Sequence, residues 1–321
     1  MEIGSSRTKP ADWIPLLTDI ADSADAIALS YYRSPELATE RKADRTVVTR
    51  ADREIEQAIR ALVEERAAGL AVFGEECGAG EGTDGAAAQP GVRRLIVDPI
   101  DGTENFRRGI PIFATLLAVE EDGAVVAGLV SAPALGTRWQ AARGAGAFCL
   151  ARDLRAGGAG GTRSAGGPGG PGGLDGAGGH GGHGPTVPRR LHVSSISVLD
   201  EAQVFHSGLR LADIPSMPGF AALLARAYRT RGFGDFWQHI LVAEGAGEIA
   251  IDPVMKPWDI GPLLVIVEEA GGRSTSLEGR ASVDGGSLLT TNGLLHEEAL
   301  AILRGGSSEG GEEDGMQGPA R

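Results

Sequence analysis

Five carboxylates stand where apolar runs begin or end: Asp52, Glu75, Asp98, Asp101 and Asp259. Gathered in one place they repel one another unless something positive neutralises them. Hard divalent cations do so, and an all-oxygen donor set selects Mg2+ over zinc. The densest stretch is Asp98-Pro99-Ile100-Asp101-Gly102-Thr103. A short apolar strand over 95–97 delivers Asp98, and the proline fixes a turn that returns Asp101 to its side. The two carboxylates and the intervening Ile100 carbonyl can then share metal ions. Gly102 lets a ligand come close to the backbone. A helical turn starting there would present free N–H groups to a phosphate oxygen, and Thr103 offers a hydroxyl to orient a water.

Each residue also has an ordinary structural role open to it. Asp98 and Asp101 can be turn residues, since Asp-Gly is common in turns. Asp52 can be a helix-capping acid and Asp259 an N-cap. Glu75 beside Glu76 can be a solvated surface pair. The chemical reading gains because every one of them follows a strand or opens a helix.

The elements that must position these residues are legible from periodicity. Apolar residues recur at helical spacing over 11–33, and again over 49–66, where Ile55, Ile59, Leu62 and Val63 form one stripe and Thr49 is a candidate N-cap. Residues 71–73 read as a short strand, followed by a Gly- and Ala-rich loop over 78–91. Strands over 115–119 and 124–130 are split by Glu121-Asp122-Gly123, a hairpin signal, and a third covers 137–142. Further on, 191–193, 203–206 and 249–251 read as strands, and 219–227, 237–246 and 259–270 as helices, the last stopped by Gly271-Gly272. Antiparallel hairpins mixed with helices favour a layered mixed α/β architecture over a doubly wound sheet.

Composition limits what the chain can bind. A net charge of −13 argues against a nucleic-acid surface, which needs clustered Lys and Arg. No stretch approaches the ~20 apolar residues of a membrane span. Glu2, Arg7, Lys9 and Asp12 precede any apolar run, so no signal peptide and a cytoplasmic, soluble protein are expected. Cys77 and Cys149 fit no zinc spacing and are expected as free thiols. Residues 157–184 hold 16 glycines, with Leu174 the one large apolar side chain, and read as a flexible insertion in which His180 and His183 bind no metal. The domain expectation is an N-terminal metal-binding half over 11–149, a Gly-rich insertion over 150–188, a C-terminal half with substrate contacts over 189–304, and a disordered tail over 305–321.

Gly74-Glu75-Glu76, the Asp98–Phe106 string, and Trp258-Asp259 with a helix ending Glu269-Ala270-Gly271-Gly272 together resemble the inositol monophosphatase family. Lys42-Ala43-Asp44 and Val48–Asp52 resemble that family's upstream segment. The resemblance implies an αβαβα layered sandwich, often dimeric, so a homodimer is expected. It implies Mg2+, two or three per site, held by Glu75, Asp98, the Ile100 carbonyl, Asp101 and Asp259. It further implies that Glu75, Asp52 and Thr103 position the attacking water, and that Gly102 and Thr103 touch the phosphate of a small-molecule phosphate monoester.

Arg231-Gly232-Phe233-Gly234-Asp235-Phe236-Trp237, and 130–136 with Arg138-Trp139, resemble the actinobacterial histidinol-phosphatase branch. Asp235 can pair with an ammonium group, which neutral inositol lacks. Arg231 can reach the phosphate or fix Asp235, and Asp252 matches a position that contacts substrate hydroxyls. The alternatives are a structural Arg–Asp pair and a packed aromatic cluster. Glu104, where the family often has Lys, is expected to add negative charge near the site. Three functions are compatible with these residues: histidinol-phosphate hydrolysis, hydrolysis of inositol-1-phosphate or other sugar phosphates, and an idle metal-bound binding protein.

Overall fold

The computed structural model describes residues 8–41, 47–76, 78–79, 92–151, 188–208 and 214–306. Cys77, most of the loop over 78–91, the Gly-rich insertion with its histidines, the Lys42–Asp44 segment and the tail beyond 306 lie outside them.

The chain runs α1 (Ile14–Tyr31), β1 (Thr39–Arg41), β2 (Val47–Thr49), α2 (Arg50–Arg66), β3 (Ala71–Gly74), β4 (Gly78–Ala79), β5 (Arg93–Asp101) and α3 (Thr103–Arg107). It continues through β6 (Ala114–Glu121), β7 (Ala124–Ala132), β8 (Thr137–Ala142), β9 (Gly146–Ala151), β10 (Arg189–Arg190), β11 (Gln203–His206), α4 (Phe220–Arg226) and β12 (Arg229–Gly232). It closes with α5 (Asp235–Ala243), β13 (Ile249–Asp252), α6 (Pro257–Glu269), β14 (Arg273–Thr275), β15 (Leu288–Thr291) and α7 (His296–Leu303).

Two sheets organise these elements. The larger has the order β10-β9-β8-β7-β6-β5-β3-β4 and the smaller β12-β11-β13-β15-β14. Strand side chains alternate between faces, and the core divides accordingly. Leu95, Val97, Leu117 and Val119 pack with the stripe Ile55, Ile59 and Val63 of α2 and with Leu17 and Ile20 of α1. Their neighbours Ile96, Leu116 and Ala118 pack on the opposite face with Ile260, Leu263 and Val267 of α6 and Ile240 of α5. On the far side of the smaller sheet, Val204, Ile249 and Ile251 meet Leu223 of α4 and Leu300 and Leu303 of α7. The layers are therefore α1/α2, large sheet, α5/α6, small sheet, α4/α7, which is the expected αβαβα sandwich.

The middle position of α6 explains its composition. A helix covered on both sides reads as apolar all round, and Ile260 to Val267 are all buried. The large sheet comes so close that a Cβ on Gly128 would sit 2.7 Å from Val265 and 2.9 Å from the Cα of Pro262.

One strand expectation failed. Residues 191–193 form no strand, because their backbone partners lie on different elements: Leu191 N–H donates to Ala147 O (2.8 Å) and Val193 N–H to Ala270 O (3.0 Å). The segment crosses between layers, and the paired residues are Arg189 and Arg190, which precede it.

Candidate metal and phosphate site

β5 does not end at Asp98; it runs on to Asp101. Asp98 pairs with Leu116 and Asp101 with Ala114, so three steps on β5 oppose two on β6. The extra residue makes a bulge, which suits Pro99 because proline cannot donate to the ladder. Thr115 Oγ1 donates to Pro99 O at 2.9 Å and pins it. A bulge, rather than the expected turn, brings the two acids together.

Asp98, Asp101 and Asp259 each offer a carboxylate oxygen within 4.8 Å of the others. Asp259 comes from the first turn of α6, where its Oδ2 also accepts from Lys256 N–H at 2.8 Å. The capping role and the site role are thus held by one side chain. Asp98 is 2% exposed and its Oδ1 has no protein partner among the described residues. Glu75 follows β3, and its N–H donates to Val97 O at 3.2 Å, which anchors it beside Asp98.

The charges of this group act on one another. Burial, reinforced by Glu75, Asp101 and Asp259, pushes Asp98 well above the ordinary carboxylate range. Burial, then Asp235 and Asp259, does the same to Asp101 despite the hydrogen bond from Phe236 N–H. Burial raises Asp259 to about 6. Such a set is strained without a cation. Three converging carboxylates, one with a buried unpartnered oxygen, fit a hard divalent metal.

Asp52 sits in the N-terminal box of α2. Its Oδ2 accepts from Thr49 N–H (2.7 Å) and Thr49 Oγ1 (2.5 Å). Burial lifts it to about 7, with the charges of Glu76 and Glu75 adding to the rise. Its Oδ1 is buried without a protein partner among the described residues. β2 packs against α3 and so holds this end of α2 by the bulged loop. Thr103 Oγ1 donates to Ile100 O at 2.9 Å, leaving its lone pairs for a ligand. Gly102 is left-handed (φ 78°), and a Cβ there would lie 3.0 Å from Ile112 O and 3.3 Å from Asp235 Oδ2.

The second half of the chain brings Asp235 and Asp252 to the same place. Asp235, at the start of α5, is a non-glycine residue at φ 52°, and Phe236 N–H donates to Asp101 Oδ2 at 2.7 Å. Burial raises Asp235 to about 6, and Asn105 Nδ2–H, 2.9 Å from Oδ2, opposes the rise. Asp252, at the end of β13, is raised to about 7 by burial, against hydrogen bonds from Val254 N–H and Ser207, and feels the charges of Asp259 and Asp235.

Arg231 does not fix Asp235. It is exposed on edge strand β12 and donates to Thr230 O at 2.7 Å. Phe236 and Trp237 do form an aromatic cluster with Trp139. Arg138 joins β8 to α1 through Asp22 and Asp25. Glu104 is ion-paired to Arg107 and Arg108, whose hydrogen bonds hold it at about 2, so its charge is compensated locally.

Two residues given no role from sequence prove central. Asn105 donates to both Ile112 O (3.0 Å) and Asp235 Oδ2. Glu56, fully buried, accepts from Glu76 N–H at 2.8 Å and pairs with Arg60. The signal for Glu56 was present: an acid next to Ile55, inside the apolar stripe of α2.

Comparison with known proteins agrees with this geometry. Residues 10–167 and 186–307 match the model of the inositol monophosphatase family. A histidinol-phosphatase of Mycobacterium tuberculosis is 40% identical over 92% of this chain and 99% of its own length. An inositol-1-monophosphatase of Mesorhizobium japonicum is 32% identical over 80% of this chain and 82% of that protein. Among solved structures, a Thermotoga maritima IMPase superposes with a TM-score of 0.69 at 25% identity, covering 92% of this chain and 97% of that one.

Proposed function

The chain belongs to the inositol monophosphatase family and is a phosphoric monoester hydrolase, and on that premise we propose that its substrate is L-histidinol phosphate and its cofactor Mg2+, two or three ions per site. A cytoplasmic, biosynthetic setting goes with that reading.

In this reading Glu75, Asp98, Asp101, Asp259 and the Ile100 carbonyl hold the metal. When bound, Mg2+ supplies charge neutralisation at the phosphoryl oxygens and lowers the pKa of water. The remaining chemistry falls to the protein. Thr103 Oγ1, already donating its hydrogen to Ile100 O, accepts a hydrogen bond from the attacking water and so aims it. Asp52, near Glu75 and fed by Thr49, offers its unpartnered Oδ1 as the next acceptor. Gly102, whose left-handed backbone suits glycine, and Thr103 receive the phosphate. No side-chain nucleophile is required.

The observation that carries the choice of substrate is Asp235. It places a carboxylate one residue from the N–H that binds Asp101, where the ammonium of a phosphorylated amino alcohol can meet it. Neutral inositol makes no such pair. Asp252 is assigned to the substrate's polar groups, and Arg231, from its exposed edge, to a long-range attraction of the phosphate. The complete carboxylate set argues against an idle binding protein.

A panel of histidinol phosphate, inositol-1-phosphate and p-nitrophenyl phosphate, with released phosphate measured, tests this. The expected result is the highest kcat/KM on histidinol phosphate, with a selective loss in Asp235→Ala. Preference for inositol-1-phosphate, or equal losses on all three esters in the variant, overturns it.

A further inference from the structure

Asp235 is held in an unusual way. A left-handed backbone is uncommon outside glycine, although Asp tolerates it better than most residues. It persists only where the surroundings over-determine it. Here two constraints act from the first half of the chain onto the second. Phe236 N–H is tied to Asp101, and the Asp235 carboxylate is tied to Asn105. Asn105 belongs to α3, the short helix that follows the bulged loop, and its Nδ2 spends its other hydrogen on Ile112 O. Two acceptors on one nitrogen fix the orientation of the amide. With Oδ2 engaged by Asn105, no donor reaches Oδ1 among the described residues.

We propose that Asn105 is a positioning residue for substrate selection: it holds one oxygen of Asp235 so that the other is presented to the cationic group of the substrate. The proposal rests on the reading of Asp235 given above. It makes selectivity a property of α3, 130 residues earlier in the chain, and not of α5 alone. Loss of Asn105 frees the Asp235 side chain to rotate, so that its contact with an ammonium must be bought anew with side-chain entropy at each binding event.

The test measures the specificity ratio, kcat/KM for histidinol phosphate divided by kcat/KM for p-nitrophenyl phosphate, which carries no ammonium. Asn105→Ala is expected to lower this ratio about tenfold, the scale of one hydrogen bond to a charged group, mainly through KM for histidinol phosphate. In an Asp235→Ala background the same change is expected to leave the ratio where it was, since the two residues act as one unit. Asn105→Ser, too short to reach Asp235, gives the same readout where the alanine variant does not fold. If Asp235→Ala collapses the ratio and neither Asn105 variant moves it, the positioning role is wrong and the reading of Asp235 stands. If Asp235→Ala leaves the ratio intact, both fall. A further drop in the double variant also overturns the proposal, because Asn105 would then act by another route.

Discussion

Asp259→Asn separates the two consequences of crowding carboxylates. In the metal-free protein Asp259 is raised from 3.8 to about 6, chiefly by burial. A carboxylate whose pKa rises on folding stabilises the protein below its unfolded value and loses that contribution as pH climbs through the folded value. By pH 8 the contribution is gone. Two pKa units correspond to about 3 kcal/mol. Asparagine removes the charge, keeps an acceptor for the Lys256 N–H and adds a donor beside Asp98. In EDTA at pH 8 the variant is therefore expected to melt higher than wild type, by about 6–12 °C for a domain of this size. At pH 4, where the wild-type acid is protonated, the gap should close. Added Mg2+ should reverse the order: a site filled at a hundred times its Kd gains about 2.7 kcal/mol, which wild type receives and the variant largely does not. Phosphatase activity of the variant should fall at least about a hundredfold. Scanning calorimetry across pH, with and without Mg2+, checks each arm. A variant less stable than wild type in EDTA at pH 8, or a wild-type melting point indifferent to Mg2+, would refute the claim that these acids are a strained set awaiting a cation.

Two further perturbations probe what surrounds the site. Gly74→Ala places a Cβ 2.5 Å from the Glu56 carboxyl carbon, which Arg60 and Glu76 N–H prevent from moving aside; kcat should drop at least about tenfold and stability by about 1–3 kcal/mol, and wild-type kcat would show that Glu75 is not placed by this turn. His239, fully buried and 2.9 Å from Thr290 Oγ1, is depressed to about 3 by burial, so its stabilising contribution is complete above about 6.5 and is lost on acidification. In urea titrations with EDTA the stability of wild type relative to His239→Asn should shrink by roughly 2 kcal/mol between pH 7 and pH 5, and a constant difference would contradict burial of a neutral ring.

What could be read from sequence was what is local. The stripe Ile55, Ile59, Val63 with Thr49 as cap sits in α2 as expected, because helical periodicity and capping depend on near neighbours. The hairpin at Glu121–Gly123 and strand β8 were equally visible. That Asp259 joins Asp98 and Asp101 was legible only through a family resemblance, since nothing within the Asp98–Thr103 string says where α6 will lie. Strands β12, β14 and β15 went unread, and 191–193 was misread, because a short extended segment becomes a strand only if a partner is present. Asn105 and Glu56 were missed for a related reason. Their site contacts reach residues 130 and 20 positions away.

The distribution of the acids gives the fold a mechanical meaning. Glu75, Asp98 and Asp101 come from the large sheet and its edge, whereas Asp235 and Asp259 come from the helix layer between the sheets and Asp252 from the small sheet. The layer between, α5 and α6, contributes its helix starts to the site and its apolar bodies to the core. The two sets of carboxylates repel across that boundary, while Phe236 N–H and Asn105 Nδ2 bridge it at Asp101 and Asp235. The packing of α6 on the large sheet, tight enough to require Gly128, holds the halves in register against that repulsion. The same rigidity keeps the oxygen atoms converged before any ion arrives, so a cation meets donors already ordered and loses little free energy to rearranging them.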